Sequence, residues 1–186
     1  MTARSRRIVE RQAEALLEQL GISEPPVDVD RVARELGYKV VFKYYDDDEL
    51  SGTVFLDAVG TVTLGINTFH APARQRFSIA HEIGHAQMHI TGRQGKDELF
   101  VDPPARMLFR DGKASLGEYK QEIEANQFAA GLLMPADFVS RVGSKLVAAN
   151  RSITVADLVE RLSKRFEVSA QAMKYRLVTL GVIEPD

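Results

Sequence analysis

The segment His81-Glu82-Ile83-Gly84-His85 constrains this chain most, because its chemistry exists only if the segment is helical. In an α-helix, residues four apart are rotated by roughly 40° and separated by about 6 Å along the axis, so His81 and His85 project from one face. Two imidazoles so placed can bind one metal ion. Glu82 lies about 100° round the helix, beside that ion and off the line joining the histidines, where it can accept a proton from a coordinated water. The flanking sequence supports the helix: Pro72 is a good first residue, and Phe77, Ile79, Ala80, Ile83, Gly84 and Met88 form the inward face of a helix over 73–91.

Composition limits what else can hold the metal. The 186 residues include no cysteine, which removes disulfides, thiolate ligands and a cysteine nucleophile, and leaves His, Asp and Glu as ligands. Zinc suits two neutral imidazoles and one carboxylate, with a fourth position open for water. Manganese or another divalent ion is compatible with the same donors. With 45% apolar and 27% charged residues, the chain can bury a core without staples. The N-terminal stretch from Met1 to Arg7 lacks the apolar centre of a signal peptide, and no apolar run reaches membrane-spanning length. A cytoplasmic protein without membrane association is expected.

Periodicity predicts helices over 8–20, at about 29–36 with Asp28 or Asp30 as cap, over about 118–133, from 136 to about 142, over 155–166 and over 170–180. Thr154 and Ser169 are N-caps of the last two. Residues 39–45, 51–56 and 60–67 are rich in Val, Phe, Tyr, Thr and Ile and read as a three-stranded antiparallel meander. The fold class is therefore α+β: a small sheet packed against the active-site helix, with a helical C-terminal part. Two units are expected, a core over 1–145 and a C-terminal helical pair over 150–186. Residues 92–117 show no clear period, apart from the apolar knots Leu99-Phe100-Val101 and Met107-Leu108-Phe109, and read as a lid over the active site.

The third ligand must come from another element. His89 lies a full turn beyond His85 and drifts from His81 by roughly 80°, which suits a supporting or core role better than direct coordination. The run Glu122-Ile123-Glu124-Ala125-Asn126-Gln127-Phe128-Ala129 is the better source. Glu124 lies one turn before Phe128 and is preferred, whereas Glu122 shares a face with Asn126 and Ala129 and is the alternative.

With both segments in view, the chain resembles the ImmA/IrrE family of metallopeptidases, zincin-like proteins of bacteria and their mobile elements. The match runs over about 10–140 in order: Pro25-Pro26-Val27-Asp28, Leu36-Gly37, Leu50-Ser51-Gly52, Ile66-Asn67, Arg76-Phe77-Ser78-Ile79-Ala80-His81-Glu82-Ile83-Gly84-His85, then Glu124-Ala125-Asn126-Gln127-Phe128-Ala129 and Leu132-Leu133-Met134-Pro135. The resemblance implies a zincin-like fold, His81, His85 and Glu124 as ligands of Zn2+, and Glu82 as general acid/base. It also implies an endopeptidase that cuts a regulatory protein, an Xre-type helix-turn-helix repressor. In zincin folds substrate lies along an edge strand near the helix, which here would be 60–67. His70 and Tyr119 are the right residue types to stabilise an oxyanion, but no motif places either.

The C-terminal end is basic. Between 141 and 181 there are eight Lys and Arg against three acidic residues, a local net of +5 in a chain whose formal net charge is -2. A helix, a tight turn and a second helix with that charge resemble a DNA-reading module. Packing of the pair on the core is favoured over DNA binding, because two helices alone lack the third that braces such a module. A rival reading of the whole chain follows: a non-catalytic regulator with a structural metal that binds a protein partner or DNA.

Overall fold

A computed structural model of the chain describes residues 3–47, 49–90, 98–101 and 114–185. The elements are α1 (Ala3–Gln19), α2 (Val29–Glu35), β1 (Lys39–Lys43), β2 (Gly52–Leu56), β3 (Val62–Asn67), α3 (Pro72–His85), a π-helical turn (Ala86–Ile90), β4 (Glu98–Val101), α4 (Ala114–Leu133), α5 (Ala136–Ala149), α6 (Val155–Phe166) and α7 (Ala170–Thr179). The class is α+β, as expected. No described helix is long and apolar enough to cross a membrane.

The sheet differs from the expected three-stranded antiparallel meander. It has four strands in the order β1-β3-β2-β4, and β1 runs parallel to β3 while the other pairs are antiparallel. The reason lies in composition. β3 is almost wholly buried and takes an interior position, whereas β1 carries Lys39 and Lys43 at an exposed edge. The knot Leu99-Phe100-Val101 forms the opposite edge. Residues 60–67 are therefore not the edge on which a substrate strand could lie, because β3 has a neighbour on each side. Apart from β4 and the start of α4, the lid expected at 92–117 lies outside the described residues.

Register fixes which side chains meet α3. Gly52, Val54 and Leu56 of β2 stand opposite Ile66, Leu64 and Val62 of β3, and these share the helix-facing side. A tight turn sets that register: the Asp57 carboxylate accepts from the backbone N–H of Thr61 at 2.7 Å and of Val59 at 3.1 Å, and Gly60 supplies a positive φ. The Thr61 bond above all holds the Asp57 carboxyl below the usual carboxylate range.

Asn67, at the end of β3, is fully buried and organises the approach to the site. Its Nδ2 donates to the carbonyls of Leu50 at 2.8 Å and Asp47 at 3.0 Å, and its Oδ1 accepts from Phe69 N at 3.0 Å and Tyr45 N at 3.2 Å. One side chain thus ties the loop that delivers Ser51 and Gly52 to the loop that starts α3.

The helix that carries the motif, α3, is α-helical to His85 and then widens into the π turn, so His89 does not continue the phase of the motif. α4 lies between α1 and α3, and Phe128, Ala129, Leu132 and Leu133 are buried. At the C-terminal end, Thr154 Oγ1 accepts from Asp157 N and Ser169 Oγ from Ala172 N, the expected caps. Glu167 between the helices is left-handed, at φ 54°, with Val168 N returning to Ser163 O. α5 runs well beyond the expected 142 and packs on α6, so the pair does have a third helix beside it. Phe166, Met173 and Leu177 join the same apolar core as Ala13 of α1 and Leu132 of α4.

The basic tail is less free than its charge count implies. Arg176 is 2% exposed: Nε donates to Met134 O at 2.9 Å, and Nη1 pairs with Glu10 Oε1 at 2.7 Å, joining α7 to α1 and the end of α4. Lys164 pairs with Glu160, Arg141 with Asp137, and Arg165 lies 3.8 Å from Glu24. Removing one partner of a buried pair strands the other charge in low dielectric. Arg176→Ala is expected to lower unfolding stability by about 3–5 kcal/mol, read as a lower urea midpoint at unchanged m-value. A loss within 1 kcal/mol of zero, on the order of a surface substitution, would show that this pair does not anchor α7.

Candidate metal centre

The two histidines of α3 meet α4 near its middle, at Glu122. His85 Nε2 lies 3.0 Å from His81 Nε2 and 3.0 Å from Glu122 Oε1, and His81 Nε2 lies 3.3 Å from Glu122 Oε2. A tetrahedral ion with bonds of roughly 2.0–2.1 Å sets its donors about 3.3–3.4 Å apart. The spacing of these three groups therefore fits one small divalent cation. The donor set, two imidazoles and a carboxylate, is that of a catalytic zinc site with one position left open. Among the described residues, these are the three that converge in this way.

The carboxylate that reaches the histidines is Glu122, and Glu124 does not. Glu124 instead faces His89 Nε2 at 3.7 Å and Lys120 Nζ at 3.6 Å. The cause is the phase of α4. Its closest approach to α3 runs along Ala125 and Phe128: a Cβ on Gly84 would stand 3.3 Å from Ala125 Cα and 3.1 Å from Phe128 Cβ. Glu122 is one turn before Ala125 on that seam, while Glu124 is turned to its flank. The face that Glu122 shares with Asn126 and Ala129 is the one turned toward His81 and His85.

Asn126 has a role that the motif alone did not disclose. Its Oδ1 lies 3.1 Å from His81 Nδ1. An amide oxygen can only accept, so Nδ1 donates its proton to Asn126, and Nε2 is the ring nitrogen turned toward Glu122 and His85. The available signal was the four-residue spacing from Glu122, which places both on one face of α4.

Electrostatics at Glu122 involve opposing effects. Burial pushes its carboxyl up, but hydrogen bonds and charge from His81 and His85 together outweigh it and bring the group down to about 2. His89 is held below the ordinary histidine range, first by burial and then by the neighbouring His85, whose ring centre is 5.7 Å away. Its ring stands outside the converging group, with Nε2 turned toward Glu124.

Glu82 is 1% exposed, and its carboxyl sits over Gly52 of β2. Gly52 occupies a helix-facing position of the strand, and any Cβ there would collide with the Glu82 side chain. Leu50-Ser51-Gly52 therefore has a local reason: the sheet must leave a gap for the motif's carboxylate. His70 Nε2 lies 3.2 Å from Leu50 O, and Tyr119, 44% exposed, lines a groove beside Phe77. Gly52→Ala is expected to cost about 1–3 kcal/mol in wild type and much less when combined with Glu82→Ala, the coupling being read from a denaturation double-mutant cycle. Strict additivity would contradict this contact.

Comparisons with known proteins agree with this architecture. The chain is 36% identical over 112 residues to the radiation response metalloprotease IrrE of Deinococcus radiodurans, covering 60% of this chain and 29% of that one. It is 32% identical over 112 residues to the protein of the same name from Deinococcus deserti, covering 60% and 34%. It thus spans about a third of the length of these relatives. A solved structure of a Mycobacterium tuberculosis transcriptional regulator superposes with a TM-score of 0.57 at 18% identity, over 92% of this chain and 46% of that one, a likeness of fold. The model of the IrrE N-terminal-like domain, a peptidase family, matches residues 33–178, and the chain belongs to that family.

Proposed function

We propose that this chain is a divalent-metal-dependent endopeptidase, with His81, His85 and Glu122 as the metal ligands and Glu82 as general base. The observation that carries the proposal is the convergence of His81 Nε2, His85 Nε2 and the Glu122 carboxylate at 3.0–3.3 Å, with Glu82 buried on the same helix. When bound, Zn2+ or a similar ion supplies Lewis acidity and a water acidic enough to react near neutral pH. The protein's own residues do the rest. Asn126 fixes the tautomer of His81. Glu82, set over Gly52, takes a proton from the attacking water and delivers it to the departing amine. The substrate proposed is a regulatory protein, a helix-turn-helix repressor of the Xre type, met in the cytoplasm. Family resemblance supports that choice of partner.

Two measurements test this reading. Elemental analysis should find about one equivalent of metal in the wild type and in Glu124→Ala, with a large loss in His81→Ala and in Glu122→Ala. Metal lost in Glu124→Ala and kept in Glu122→Ala would reverse the ligand assignment. Glu82→Gln should retain metal and fold while cleavage of the repressor falls by at least about 10²-fold. If Glu82→Gln relieves repression as well as the wild type does, the protein acts by binding and not by hydrolysis.

A further inference from the structure

A groove of about 800 Å³ runs beside the metal centre, between the first half of α3, the outer face of α4, and α7. His81, His85 and Glu122 do not line it, but two residues beside His81 do. Phe77, in its wall, stacks 6.2 Å from the His81 ring, and Asn126, also in its wall, is the residue bound to His81 Nδ1. Anything lying in the groove therefore touches two residues that touch a proposed ligand. Its volume falls in the range that takes a small ligand or a few residues of extended peptide.

Its lining has a definite chemistry. Phe77, Ile123, Met134, Val168 and Ala172 make it apolar, and Arg6 and Arg74 stand at its rim. Both arginines are exposed, and neither forms an ion pair among the described residues. Arg74 donates to Ser51 Oγ at 2.9 Å, one residue from the Gly52 on which Glu82 rests. Arg176 also lines the groove. Its charge is met by Glu10, yet its Nη2 is buried without a hydrogen-bond partner among the described residues. No carboxylate belongs to the described lining residues. Tyr175, 67% exposed, and Tyr119 offer aromatic surface of the kind enriched where proteins recognise partners.

From this we infer that the groove is the substrate-selecting subsite, and that it takes an extended peptide segment with a bulky apolar side chain flanked by acidic residues. The apolar side chain lies against Phe77 and Ile123, and the acidic ones face Arg6 and Arg74. The inference rests on the peptidase reading for its catalytic meaning, but binding can be measured without hydrolysis.

The probes are two fluorescein-labelled nonapeptides with a central leucine–phenylalanine pair, identical except that the flanking positions are glutamate in one and lysine in the other. Anisotropy titrations use metal-loaded Glu82→Gln protein, so no probe is cut. The glutamate peptide should bind at least about tenfold more tightly than the lysine peptide, with the difference shrinking as salt rises. The exposed double reversal Arg6→Glu and Arg74→Glu should invert that order. Ala172→Trp, which fills the groove, should weaken both peptides by about tenfold or more. Circular dichroism and urea midpoints identify any variant that fails to fold, and the exposed charge reversals leave the core untouched. Equal binding of the two peptides, or an order that the double reversal leaves unchanged, overturns the inference. So does a dimer in light scattering that Ala172→Trp dissociates while neither peptide binds, since the groove would then be occupied by a second copy. Groove-dependent binding by a wild-type protein that never hydrolyses a peptide would sink the peptidase reading alone. Hydrolysis that Ala172→Trp and the charge reversals leave untouched would sink the groove alone.

Discussion

The close packing of α3 on α4 is the constraint on which the site depends. Gly84 sits between the two histidines in sequence, and a side chain there would meet Ala125 and Phe128 at 3.1–3.3 Å. Glycine on one helix and alanine on the other let two backbones approach far enough for the Glu122 carboxylate to reach imidazoles from a different element. Larger residues along this seam would keep α4 away and leave a histidine pair with no third donor. Dispersion and burial at Ala125, Phe128 and Ala129 thus hold together three groups that would not gather on their own electrostatics.

The sheet acts as a spacer under this pair. Its helix-facing positions alternate Val54, Leu56, Val62, Leu64 and Ile66, all buried, and are interrupted once by Gly52, where Glu82 needs room. Asn67 keeps that gap in place by binding the loop before β2 and the loop before α3 with one amide. A buried polar side chain satisfied on both its oxygen and nitrogen is well suited to such a task, since slipping the strand by one residue would strand several hydrogen bonds at once.

The C-terminal helices belong to the same packing unit. Arg76 of α3 donates to Val27 O and lies 3.3 Å from Glu167 Oε2, so α3 is tied to the turn between α6 and α7. Arg176 ties α7 to α1 and to the end of α4. Through these clamps α7 becomes one wall of the groove beside the candidate metal centre. Several charges that make the tail look basic in the sequence are occupied in this structural work, which weakens the case for a free DNA-reading surface.

What could be read from the sequence is what one helix or one turn decides. The placing of His81, Glu82 and His85 follows from the helical repeat, the caps Thr154 and Ser169 from local hydrogen bonding, and the α+β class from the change in apolar period. The choice between Glu122 and Glu124 was not legible, because both are acidic, adjacent to the apolar face and two residues apart. Which one meets the histidines depends on how α4 is rotated against α3, and that rotation is set by Gly84, Ala125 and Phe128 together. The sheet was partly legible for the same reason. Alternation marks a strand, but pairing order comes from competition for the buried centre, which β3 wins and lysine-bearing β1 loses. Tertiary structure alone decided these points, since each is a relation between elements distant in the chain, and local propensity carries no information about such relations.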